Sequence, residues 1–217
     1  MVRSVYVAAV ARCSQCNIEV AALVDASDIS STDWQNVLNF LNSIAANYNI
    51  NSNCVRMAVI LYSERTTVVS FQLNRYGDIS SLQQGIRSLR VQGGASANFL
   101  TALRQMRNQV FASNIVRPGA SRLAFIVSDQ LACNSQIVAE ANNAKATGIS
   151  IVGVAVTWRG SQLVTSCMRQ VVTPNQYIEV PAYNQLGNYV NRAMQYLCPA
   201  RASKFVARVN DPTEFIS

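Results

Sequence analysis

Short apolar runs alternate along the chain with stretches in which apolar residues recur every three or four positions. Residues 18–24 are nearly unbroken apolar and stop at Asp25, which predicts a buried strand. Trp34, Val37, Leu38, Leu41, Ile44, Ala45 and Tyr48 follow at helical spacing, with Ser30 and Asp33 placed as a capping box ahead of them. Residues 55–62 and 66–73 predict two strands with only Ser63, Glu64 and Arg65 between them, a link that allows a hairpin but no parallel crossover. A short helix is expected over 79–89, then a loop at Gly93-Gly94, then a helix carrying Phe99, Leu100, Leu103, Met106 and Val110. The most apolar strand covers 123–127 and ends at Ser128-Asp129. A helix over 135–146 stops at Gly148, a residue suited to the position after a helix end. A strand over 149–156, a helix over 163–172, a strand over 177–180 and a last helix carrying Leu186, Tyr189, Val190, Ala193, Met194 and Leu197 complete the pattern.

The predicted order is β-α-β-β-α-α-β-α-β-α-β-α. Apolar strands alternating with amphipathic helices give an α/β fold: a doubly wound, mostly parallel sheet with helices on both faces and one antiparallel strand at an edge. Residues 1–16 read as an N-terminal extension. Residues 199–217, where Arg201, Lys204 and Arg208 interleave with apolar residues, read as a basic tail or linker. No apolar run reaches the ~18 residues of a membrane helix, so membrane insertion is not expected.

Composition narrows the chemistry. The 217 residues suit one domain, and 50% apolar against 13% charged residues argues for a packed core. Eighteen basic and 11 acidic residues leave +7, and 16 of the bases are arginine, which favours acidic or sulfated partners. Arg104 with Arg107, and Arg87 with Arg90 if that segment is helical, share faces that would serve as docking surfaces. The aromatic residues fall on core stripes rather than beside the arginines, so nucleic acid is not an expected partner. There is no histidine, which excludes Ser-His-Asp hydrolysis, Cys-His proteolysis and His-ligated zinc. Nucleotide-binding glycine loops and the G-x-S-x-G elbow are also missing. The chain is expected to bind rather than to catalyse.

Six cysteines remain: Cys13, Cys16, Cys54, Cys133, Cys167 and Cys198. The C-x-x-C of Cys13 and Cys16 precedes the first strand and has no second C-x-x-C to complete a zinc site. Disulfides in an oxidising compartment are therefore expected, with about 15 full pairings open at this point.

Ligands of an open parallel sheet bind beyond the carboxyl ends of its strands. Three features fall there: Asp25-Ala26-Ser27-Asp28, Gly93-Gly94-Ala95-Ser96-Ala97 and Ser128-Asp129. Converging carboxylates and hydroxyls of this kind offer hard oxygen ligands to Mg²⁺.

Together with the element order, these residues resemble a von Willebrand factor type A domain over about residues 17–198. The resemblance implies a six-stranded sheet with one antiparallel edge strand and a metal-ion-dependent adhesion site, written D-x-S-x-S with a distal Thr and a distal Asp. Asp25 and Ser27 match its first two positions, and Ile29 stands where the second serine belongs. The distal threonine falls on Ser96 or Ala97. Asp129 matches the distal aspartate, with Gln130 in place of the usual glycine. The implied metal ligands are Asp25, Ser27, Ser96 and Asp129, holding Mg²⁺ (or Mn²⁺ or Ca²⁺) in a degenerate site, with Asp28, Gly94 and Gln130 facing a partner. The alternative is a metal-free site in which serine hydroxyls and backbone N–H groups hold both carboxylates. The family fold also implies disulfides from Cys198 to one of Cys13 and Cys16, from Cys54 to the other, and between Cys133 and Cys167. The function implied is a secreted extracellular-matrix adhesion module, most like the collagen VI, matrilin and mollusc thread or shell matrix members. Its partner would be a collagen-like fibre or another matrix protein, with sulfated glycosaminoglycan as a further ligand. The alternative is a cell-surface or parasite adhesin that binds a receptor or sulfated glycans.

Overall fold

The computed structural model describes residues 17–158 and 162–198. Cys13, Cys16, the expected extension over 1–16 and the expected tail over 199–217 lie outside the described residues.

Strands β1 (Ile18–Asp25), β2 (Val55–Tyr62), β3 (Thr67–Phe71), β4 (Ser121–Ser128), β5 (Ile149–Val156) and β6 (Tyr177–Val180) form one six-stranded sheet in the order β3-β2-β1-β4-β5-β6. Every pairing is parallel except β2–β3, the expected hairpin, which leaves its antiparallel strand at the edge. The crossover helices lie on both faces. Helices α1 (Ser31–Ala46), α2 (Ile79–Ser88) and α6 (Val190–Leu197) bury their stripes with Val20, Ala22 and Val24. Helices α3 (Phe99–Gln105), α4 (Ser135–Ala146) and α5 (Gln162–Val171) pack with Ala21 and Leu23 on the other face. Alternate residues of β1 thus feed two cores, which is why the strand reads as a continuous apolar run.

Local chemistry sets the helix starts. Ser30 caps α1: its hydroxyl accepts from the Asp33 N–H at 3.1 Å and donates to the Asp33 carboxylate at 2.8 Å. Asp78, Asn98 and Asn134 cap α2, α3 and α4 in the same way. Helix α5 sits hard against β5 because residue 153 is glycine, where a Cβ would come 2.4 Å from Met168 Cγ.

Three sequence expectations change. The helix through Phe99–Val110 is not uniform, for Met106–Val110 forms a π-helical turn closed by the Phe111 N–H on Met106 O at 2.9 Å. The wider turn keeps both Met106 and Val110 in the core. The last helix divides: Tyr183–Tyr189 is 3₁₀ and the α-helical part begins at Val190. Arg90 lies past the end of α2, with its guanidinium on the carbonyls of Arg87 and Leu89, so it shares no helix face with Arg87. Arg107 forms an ion pair with buried Glu140 at 2.7 Å, while Arg104 stays exposed.

The amino-terminal end of the sheet holds a fully buried carboxylate, Glu19. Arg56 reaches it with Nη2 at 2.6 Å and Nε at 2.9 Å, and Arg117 Nε at 2.8 Å. The same arginines donate to the carbonyls of Ile115, Ile18 and Cys54, which fastens the 111–120 loop across the starts of β1 and β2.

Candidate functional site

Strand order reverses between β1 and β4, because the chain leaves β1 for β2 on one side and later lays β4 on the other. This switch point opens a crevice at the carboxyl ends of the strands. Register decides what stands there. Asp25 pairs with Tyr62 across β1–β2, and Val24 pairs with Val127 across β1–β4, so Tyr62, Asp25 and Ser128 stand in one row.

Asp25 is buried, and protein donors surround it. Its Oδ1 accepts from the Ser27 N–H at 3.1 Å and from the Ser27 hydroxyl, and its Oδ2 accepts from the Ser128 hydroxyl at 2.8 Å. Burial raises its carboxyl to about 6 against those three bonds, with the neighbouring Asp129 adding a smaller push in the same direction. The Tyr62 phenol is buried beside this carboxylate, and burial followed by the charge of Asp25 holds it well above the usual range. Ser128 also accepts the Gln130 N–H at 3.1 Å, which turns the chain after β4 and points Asp129 into the crevice.

Asp129 is buried too. The indole N–H of Trp158, just past the end of β5, donates to its Oδ2 at 3.0 Å, and the buried Tyr183 phenol lies beside the same carboxylate. Burial and the two aspartates push the Tyr183 phenol far up. Trp158, Tyr183 and Tyr62 were not anticipated from the sequence. The signal was available for Trp158, since a residue directly after an apolar strand lies at the same sheet end as the acidic pair.

The two loops beside the pair are tied to each other. The Asp28 N–H donates to Gly94 O at 3.0 Å, and the N–H groups of Gln92 and Gly93 donate to Ala26 O at 3.1 and 3.2 Å. Gly94 has φ +100°, and a Cβ there would lie 2.9 Å from Glu64 Cβ, so both the turn and the close approach require glycine. Asp28 holds a left-handed φ of 35°. Ser96 is exposed and makes no hydrogen bond to either carboxylate. With Ala97, Phe99, Gln130, Leu131, Ala132 and Leu163 it lines a cleft of about 270 Å³ beside the pair. The structure therefore brings Asp25, Ser27 and Asp129 together and leaves Ser96 on the rim with Gln130. Cys133, in the loop after Asp129, is bonded to Cys167 of α5 as expected. Cys54 and Cys198 are also disulfide-bonded, and the expected pairings with Cys13 and Cys16 lie outside the described residues.

A divalent cation needs several oxygens with lone pairs directed at one point. Here both oxygens of Asp25 accept from serine donors, and Oδ2 of Asp129 accepts from an indole. Ile29, where a serine ligand belongs, packs against one core, and Ala97 packs against the other. The residues present do not fit the implied Mg²⁺ site. What they form is a closed acidic pair, hydrogen-bonded from within the chain.

Comparison with known proteins agrees with this architecture. The chain is 24% identical over 187 residues to von Willebrand factor A domain-containing protein 2 of Xenopus laevis, covering 86% of this chain and 23% of that protein. It is 24% identical over 178 residues to the collagen alpha-5(VI) chain of Mus musculus, covering 78% of this chain and 7% of that one. The chain thus spans less than a quarter of either curated relative. Proximal thread matrix protein 1 of the mussel byssus, solved with a zinc-occupied MIDAS motif, superposes with a TM-score of 0.78 at 17% identity, over 86% of this chain and 49% of that one. The sequence profile of the von Willebrand factor type A domain matches residues 19–192, and the chain belongs to that family.

Proposed function

We propose that this domain is a secreted extracellular-matrix module that binds another matrix protein, a collagen-like fibre first among them, through the face around the closed acidic pair, without a cation and without catalysis. The observation that carries the reading is the surface beside the pair. Trp158 is 47% exposed and Leu163 is 69% exposed, and Leu163 borders the 270 Å³ cleft. Large apolar side chains around a concavity are the usual anchors of protein recognition, and tryptophan is prominent among them. The matrix setting is supported by relatives that include a collagen VI chain and a byssal thread matrix protein, and by the disulfides at Cys54, Cys133, Cys167 and Cys198.

Binding to immobilised fibrillar collagen and collagen VI, measured in EDTA and again in Mg²⁺, tests this directly. Saturable binding of equal strength in both buffers is expected, and Leu163→Glu should weaken it at least tenfold with an unchanged melting temperature. Failure to bind either collagen, binding only in Mg²⁺, or indifference to Leu163→Glu would overturn the proposal.

A further inference from the structure

A second concavity, of about 560 Å³, lies near the β6 edge of the sheet, away from β3. It forms where the carboxyl ends of α4 and α5 meet the start of β6 and the flank of α6. Three cations line it: Lys145, Arg169 and Arg192. The nearby carboxylate, Glu179, is already engaged, accepting from Arg169 at 3.0 Å and from the Tyr177 hydroxyl at 2.7 Å. Arg169 stands over the Tyr177 ring, with Cζ 4.9 Å from its centroid, yet its side chain is 66% exposed, which leaves guanidinium donors facing solvent. Lys145 is held in place by bonds from its ammonium to Val172 O at 3.1 Å and Gln170 O at 3.5 Å. Arg192 is exposed and has no acidic partner among the described residues. The groove is therefore cationic after its internal pairing is counted, and two of its three charges are fixed before any ligand arrives.

We infer that this groove docks a sulfated glycosaminoglycan segment, at a site separate from the acidic-pair face. Guanidinium groups pair in a planar fork with sulfate esters, and the ammonium adds a point charge. The ring of Tyr196 offers an apolar wall for a sugar face, and the Gln170 amide offers bonds to sugar hydroxyls. One face of Tyr177 is already covered by Arg169. The choice of a sulfated polymer over other polyanions rests on the matrix setting proposed above; the charge of the groove does not.

Heparin is the probe, titrated into the full chain by calorimetry at physiological salt, with hyaluronan (carboxylates only) and a single-stranded DNA oligonucleotide as further arms. The double variant Arg169→Ala/Arg192→Ala should lose at least tenfold in heparin affinity while keeping its collagen binding. The double variant Arg65→Ala/Arg104→Ala removes the same charge from exposed positions on the hairpin turn and on α3, which packs over β2 and β3, and should change affinity less than twofold. Arg192→Glu, at an exposed position with no acidic partner among the described residues, repeats the test if the first double variant unfolds. Equal losses in the two double variants, no heparin binding, or equal affinity for hyaluronan or DNA would overturn the inference. Loss of collagen binding with heparin binding intact would sink only the proposed function.

Discussion

Asp25 shows how burial and hydrogen bonding compete at one side chain. Three donors favour its charged form, yet removal from water outweighs them and raises its carboxyl from 3.8 to about 6. A raised acid means that the folded state holds the proton more tightly than the unfolded chain does. The contribution to stability is complete below about pH 4 and is lost as pH rises through about 6, a change on the order of 2–3 kcal/mol. The Asp25→Asn variant keeps the shape of the side chain and stays neutral, and the Ser128 hydroxyl is able to accept where it formerly donated. Urea unfolding of the two proteins from pH 4 to 7.5 should show wild type losing ground to Asp25→Asn across that window. A constant difference would contradict the burial account. The sequence made Asp25, Ser27 and Asp129 legible because acids at strand ends of a parallel sheet have few places to go. It did not disclose that Trp158 holds Asp129 with Tyr183 beside it, because that arrangement depends on how loops from distant strands close over one another.

At the scale of elements, periodicity was a good guide wherever burial alone set the structure. Strands β2, β5 and β6 and helix α4 fall on the expected residues. The departures come where backbone geometry adjusts to keep a side chain inside, as in the π-helical turn that retains Met106 and Val110. The Glu19 network was hidden for a different reason: one acid inside an apolar strand gives no hint of partners 37 and 98 residues away. That network makes a firm prediction. Glu19→Gln leaves two guanidinium groups facing a neutral acceptor in a buried setting, and breaking one member of such a cluster costs about 3–5 kcal/mol. Chemical denaturation should show a loss of that order, together with faster hydrogen exchange in the 111–120 loop. A loss under about 1 kcal/mol would mean that the arginines find water instead.

For the whole molecule, a ligand that binds only the folded state raises the melting temperature as its concentration rises. The engaged oxygens of Asp25 and Asp129 predict that Mg²⁺ or Mn²⁺ at millimolar concentration leaves the midpoint where EDTA leaves it. An upward shift of several degrees would show that the indole and serine donors yield to a cation. The overall charge of +7 was plain in the sequence, but its placement was not. Arg107 turns inward to Glu140, while Lys145, Arg169 and Arg192, on three different helices, come to line one groove.

The loop that carries Asp129 is fastened on two sides, by the Cys133–Cys167 bridge to α5 and by the Trp158 indole. Such a surface has little freedom left to surrender when a neighbour arrives, so association draws on little ordering entropy and proceeds as rigid docking. A fibre assembled from such modules would take its geometry from shapes fixed at folding, and its neighbours would conform to the module rather than the reverse.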